Sequence, residues 1–209
     1  MNMPENRKNW NEFDWERELR MDESRIHYYF MELPHFIDLP GEEEIILKQM
    51  KLNPELISMN DNWDEIGSSM FFEDFDEDVF LSDDWVQKDS AKLYTQLSRL
   101  ASQWNMAFAS EVAPELRAEA MHIICLYGRA MAQTSELLDA NNEEMPGFII
   151  CVGKRLHAGI NLIIGKLTEF IGRQQDMEAQ IKSYINHLQS LREKLLDLVA
   201  ATREKQDKN

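Results

Sequence analysis

Cysteine is almost missing from this chain of 209 residues: Cys125 and Cys151 are the only two. Two thiols cannot build a disulfide scaffold. Each lies in an apolar run, Met121-His122-Ile123-Ile124-Cys125-Leu126 and Phe148-Ile149-Ile150-Cys151-Val152, so both are read as buried free thiols packing as small hydrophobes. Glycine and proline are scarce as well, at 8 and 6. That excludes collagen-like and Gly/Ser-linker architectures and disfavours a many-turned β-sandwich or barrel. Uninterrupted apolar runs reach only a few residues, against the ~20 of a membrane span. The first ten residues hold no signal-peptide core. These absences predict a soluble, cytoplasmic protein without a membrane partner.

Basic residues are outnumbered, 22 Lys+Arg against 38 Asp+Glu, for a net charge of −16. A phosphate backbone or an anionic lipid surface needs a basic face, so no direct nucleic-acid binding is expected. Catalytic signatures are missing too. There is no G-x-S-x-G and no G-x-x-x-x-G-K-[ST], and His27, His35, His122, His157 and His187 are scattered. The chain reads as no enzyme.

What is present is a marked asymmetry. Residues 1–90 hold 24 acidic against 8 basic side chains, net −16, and 13 of the 20 aromatics; residues 91–209 hold 14 against 14. All six prolines lie at or before Pro146. A composition shift of this kind marks a boundary between parts, placed here between residues 1–81, acidic and aromatic, and residues 82–209.

The second part has helical periodicity. Acidic residues at Ser82-Asp83-Asp84 suit a helix start, and Leu93, Leu97, Leu100, Trp104 and Phe108 then recur at spacings of 4, 3, 4 and 4. Pro114 opens the next helix, which carries Leu116, Ala120, Ile123, Tyr127, Ala130, Thr134 and Leu137 or Leu138. From Ile149 a seven-residue repeat runs through Leu156, Ile163, Phe170, Met177, Tyr184, Leu191 and Leu198, beside Gly153, Ile160, Leu167, Gln174, Ile181, Leu188, Leu195 and Thr202. Ile150, Ile164 and Ile171 widen the first half of this stripe to the width a bundle core needs. From Ile181 the stripe narrows between charged residues, a coiled-coil pattern. As one helix this segment would be ~90 Å long. A break near Gly172 folds it back as the last member of an antiparallel bundle of about four helices. Gly153, Ala158, Gly159 and Gly165 are read as places of close helix approach. The fold class is mainly α: this bundle with its long, coiled-coil-like last helix, preceded by a partly irregular helical part.

In the first part, a helix from Trp10 to Glu32 is expected to stop before Pro34. Asp38-Leu39-Pro40-Gly41 is a turn, Glu42–Met50 a short helix, and Pro54 opens a helical turn. The stretch Phe71 to Trp85 interleaves aromatics with carboxylates. Phe72, Phe75, Phe80 and Trp85 serve as apolar anchors, and Asp74, Asp76 and Asp78 as steering charges for a protein partner with a basic or apolar groove. The same stretch can instead strap the chain's own bundle, aromatics inward. Leu188, Leu191, Leu195 and Leu198 form a self-association seam, making a homo-oligomer the expected state. Lys154-Arg155, Lys166 and Arg173 make a basic strip whose expected partner is the acidic N-terminal part, either as plain charge pairing or as an autoinhibitory cover over a site on the bundle.

A metal reading would use Glu119 and His122, an E-x-x-H pair on one helix face. A carboxylate-bridged di-iron bundle needs a second such pair, and Lys154 stands where His157 would need its glutamate. No metal or other cofactor is therefore expected. The sequence predicts a non-catalytic interaction or regulatory protein. A bundle with a metal or small-molecule site, and an acidic mimic occupying a basic nucleic-acid-binding surface, are the alternatives.

Overall fold

The computed structural model describes residues 10–57, 89–140 and 145–206. Among them are six α-helices and no strand: α1 (Glu12–Phe36), α2 (Glu42–Lys51), α3 (Asp89–Ser110), α4 (Arg117–Asp139), α5 (Pro146–Ile171) and α6 (Glu178–Gln206). They fall in two compact units. One comprises residues 13–57; the other comprises residues 10–12, 89–140 and 145–206. Residues 10–12 group with the bundle, although charge places them with the acidic part.

Helices α3 to α6 form an antiparallel bundle of four. Each packs on the next, and α6 closes less tightly onto α3. Cross-helix pairs fix the directions. Arg173 at the end of α5 meets Glu119 at the start of α4 at 2.5 Å, and Arg192 of α6 donates to Asn161 of α5 at 3.1 Å. Lys194 near the end of α6 donates to Gln96 near the start of α3 at 3.1 Å. Trp104 organises the centre. Its indole N–H donates to the Ala120 carbonyl at 3.2 Å, and its ring stands edge-on to Phe170 and Tyr184 at 5.5 and 6.2 Å. One fully buried side chain thus joins all four helices.

The helix between α5 and α6 breaks at Gly172, and a short 3₁₀ turn, Gln175–Met177, restarts it. Gln174, the polar residue in an otherwise apolar series, clamps this turn to the α3–α4 connection. Its amide donates to the Glu111 carbonyl at 2.7 Å and accepts from the Ala113 N–H at 3.3 Å. Such bonds satisfy backbone groups that helix ends leave unpaired.

The α4 stripe is buried from Leu116 through Leu138 as its spacing predicts. Elsewhere the core differs in four places. Ala107, not Phe108, lies fully inside α3, and Val199 takes the core position assigned to Leu198. A straight helix drifts ~20° per heptad against a strict seven-residue repeat, so over α6 the inward position slips one residue. Cys125 is exposed, while Cys151 is buried; Ile123 and Tyr127 take the inward positions of α4 and turn the residue between them outward. Gly153 does mark a close approach, since an added Cβ would lie 2.5 Å from Val199 Cγ2, but Gly165 faces open space. By length and composition α5 could also cross a membrane; half of its most apolar stretch is buried within the protein.

Residues 13–57 form a small helical hairpin. Pro34 lies inside α1, which continues to Phe36. Proline removes its own N–H bond and crowds the carbonyl four residues back, yet the Ile37 N–H still donates to the Leu33 carbonyl at 2.8 Å, so the last turn closes beyond it. Asp38 and Gly41 adopt left-handed conformations, φ 71° and 73°, which reverse the chain within a few residues; glycine and aspartate tolerate that region best. Ile46 and Met50 of α2 then pack with Leu56 against Tyr28, Tyr29, Leu33 and Phe36 of α1.

Candidate functional site

The aromatic anchors Phe72, Phe75, Phe80 and Trp85 and the carboxylates Asp74, Asp76 and Asp78 lie outside the described residues. The proposed association seam is described. Leu188, Leu191 and Leu195 are buried inside a single chain, and Leu198 is half-buried. These leucines form the bundle's own core, so they offer no free seam to a second copy. The exposed leucine of α6 is Leu196.

Glu119 and His122 are both exposed. Glu119 accepts from Arg173, and that hydrogen bond holds its carboxyl below the usual range. Gly159 lies against Gln133 just as Arg173 lies against Glu119. This register sets His122 level with Phe170, not with Ile164 as a hairpin centred on Glu143 would have it. Phe170 itself is buried against Trp104, whereas His122 points to solvent. No group of three or more metal-ligating side chains occurs among the described residues.

Of the basic strip, Lys154 meets the acidic N-terminal part, while Lys166 and Arg173 pair within the bundle. Lys154 pairs with Glu12 at 2.7 Å, Lys166 with Glu169 at 2.8 Å, and Arg173 with Glu119. Glu12 also meets Arg203 at 3.2 Å, and its carboxyl is held below the ordinary value by the hydrogen bond from Lys154, against the opposing effect of burial. Gly147 lies under this segment; a Cβ there would collide with the Trp10 carbonyl. Inside the bundle the Tyr127 hydroxyl is buried with no hydrogen-bond partner, and burial, with the nearby Tyr184, raises its pKa well above the ordinary phenol value.

The feature that the sequence did not single out lies on α1. Arg25, Tyr29 and Phe36 fall on the side that faces α2 and the Pro54 turn. The Arg25 guanidinium is buried, donating to the Leu56 carbonyl at 2.8 Å and to Asp22 at 2.7 Å. About 100° further round the helix stand Ile26 and Phe30, four residues apart, and Ile37 follows in the turn just after α1. They are 47, 62 and 58% exposed. Met31, Leu39 and Leu52 are also exposed. The signal was available in the run Ile26-His27-Tyr28-Tyr29-Phe30-Met31: it is apolar over more of the helix circumference than one neighbouring helix can cover. Large exposed apolar side chains grouped in this way characterise interaction surfaces.

No protein-family model, curated protein or solved structure matches this chain.

Proposed function

We propose that the protein is a non-catalytic interaction protein whose partner binds the N-terminal unit, with the bundle as its stable support. The observation that carries this reading is the exposed apolar stripe of Ile26 and Phe30 on α1, continued by Ile37 in the turn that follows it. Two features specify the partner. Residues 13–57 hold 11 acidic against 5 basic side chains, net −6, and exposed Glu23 lies two turns before Phe30 on the same side of α1. The complementary surface is an apolar groove with a basic rim, on a different protein. The acidic aromatic stretch from Phe71 to Trp85 supplies, on its sequence, the same chemistry and is proposed as a second arm of the contact. That Cys125 and Cys151 are not joined in a disulfide supports placing this work in the cytoplasm, where thiols stay reduced.

The test compares the full chain with a Phe30→Asp/Ile37→Asp variant in affinity capture from the host's lysate, at low and high salt. Both positions are exposed, so the variant folds. A captured protein that the variant loses, and that the native chain holds at high salt, supports the reading. Equal capture by both contradicts it. Binding that collapses with salt alone points instead to the acidic-mimic alternative. A change in the protein's own mass in solution between the two forms identifies a second copy as the occupant.

A further inference from the structure

We propose a second site, independent of the α1 face: a groove between α3 and α6 that binds a small organic anion, a phosphate or carboxylate carried on a partly apolar body. The groove encloses about 710 Å³, within the ~300–1,000 Å³ of ordinary ligand sites. It exists because α6 closes onto α3 less tightly than the other neighbours pack. Where α5 flanks its core stripe with Ile150, Ile164 and Ile171, the flank of α6 facing α3 is Ser183, His187 and Ser190.

One end of it is cationic. Lys154, Lys166, Arg173, Lys182 and Arg203 each meet a carboxylate. Arg99 and Lys194, which line the groove, meet none among the described residues; Lys194 contacts only the side-chain amide oxygen of Gln96, at 3.1 Å. In a chain of net charge −16, two cations left without acidic partners beside one groove are ready for a ligand's charge. The pairs Lys194–Gln96 and Tyr184–Gln103 place Arg99 level with Ser190. His187 and Lys194 lie about a turn to either side, roughly 5–6 Å along the axis at ~1.5 Å per residue. An arginine fork, an ammonium and a hydroxyl within one turn are the donors an anionic oxygen group needs. The His187 Nδ1 lies 2.7 Å from the Ser183 carbonyl and donates to it, which leaves Nε2 available. Beyond this cationic end the groove runs on over Met106, Ala107 and the Tyr184 ring, which accept the body of the ligand. Glu111 at the far end excludes a second anionic group there.

The experiment records backbone amide shifts of the full chain on addition of phenyl phosphate, benzoate or neutral benzyl alcohol. Saturable shifts at residues 96–103 and 187–194 with phenyl phosphate, benzoate or both are the expected result, and whichever binds names the anion. An Arg99→Gln/Lys194→Gln variant should weaken that binding by about tenfold or more, with an unchanged circular dichroism spectrum. The proposal is overturned by no shifts at these residues up to about 10 mM, by equal binding of benzyl alcohol, or by native affinity in the variant.

Discussion

Helices α1 and α5 are almost equal in length, at 25 and 26 residues, yet α5 buries 11 of its residues and α1 only three, two of which are the charged Glu18 and Arg25. The difference is not one of apolar content alone, since α1 carries Phe13, Trp15, Tyr28, Tyr29, Phe30 and Phe36. It is one of neighbours. Helix α5 packs on α4 and on α6, and its apolar stripe is wide enough to meet both. Within its own unit α1 meets α2 and the Pro54 turn, and that contact covers one sector of its circumference. An amphipathic face stabilises only when something covers it. The described part of this unit, residues 13–57, is short enough that one small core is marginal. The bundle therefore stands as the self-sufficient part, and the N-terminal unit as the part with surface left to offer.

The largest expected effect strikes the bundle. Trp104→Ala removes the side chain that joins all four helices and should cost about 3–5 kcal/mol, read as a shift in the urea midpoint of the main unfolding transition. The same transition should be untouched by Arg25→Ala. That change leaves the buried Leu56 carbonyl without its donor and should cost the N-terminal unit about 1–3 kcal/mol, read as faster proteolysis confined to residues 13–57. If Arg25→Ala moves the bundle transition as well, the two regions are one cooperative structure and the comparison breaks.

A smaller effect sharpens the account of close packing. Gly153→Ala forces Val199 Cγ2 to move and should cost about 0–2 kcal/mol, the overpacking penalty of ~1–3 kcal/mol less the ~1 kcal/mol that alanine gains in a helix. In a Val199→Ala background the same substitution should be neutral or stabilising. A cost that persists there would place the strain elsewhere. The smallest effect is electrostatic. The Glu12 carboxyl is held below its ordinary value of 4.5 by Lys154 and Arg203. A depressed carboxylate adds stability that is complete above its unfolded pKa and is lost as pH falls through its folded one. The difference in melting temperature between the native chain and Glu12→Gln should be small at pH 7, since a half-exposed pair is worth about 0–1 kcal/mol. It should vanish as pH falls below 4.5 and through the depressed folded value.

Much of the bundle was legible in sequence because its periodicity is set by helix geometry. Leu116, Ala120, Ile123, Tyr127, Ala130 and Thr134 needed only the 3.6-residue turn. Gly172 announced its break, since glycine weakens a helix interior. The misreadings come from what periodicity omits. Leu198 gave way to Val199 because a heptad template accumulates angular error along a straight helix. Cys125 was judged by its neighbours in sequence, whereas exposure depends on the side of the helix it occupies. Pro34 was taken as a stop, but the Ile37 N–H still donates to the Leu33 carbonyl and closes the last turn around it. The candidate sites were less legible. The leucines from Leu188 to Leu195 look alike whether the chain's own helices or a second copy cover them. Arg99 and Lys194 lie 95 positions apart, and only the fold brings their helices together. The narrowing of the stripe after Ile181, read as a coiled-coil pattern, is the sequence trace of the side on which the bundle leaves a groove.

Hydrogen–deuterium exchange of the full chain, resolved by peptide, tests the central contrast most directly. The account predicts strong protection across Ile160–Phe170 and Ile181–Leu195. It predicts exchange faster by at least about two orders of magnitude across Ile46–Met50 and the α1 residues packed on them, because a marginal unit opens at low free energy. Equal protection in the two regions would contradict it, since residues 13–57 would then be fully stabilised within the chain and would have no need of a partner.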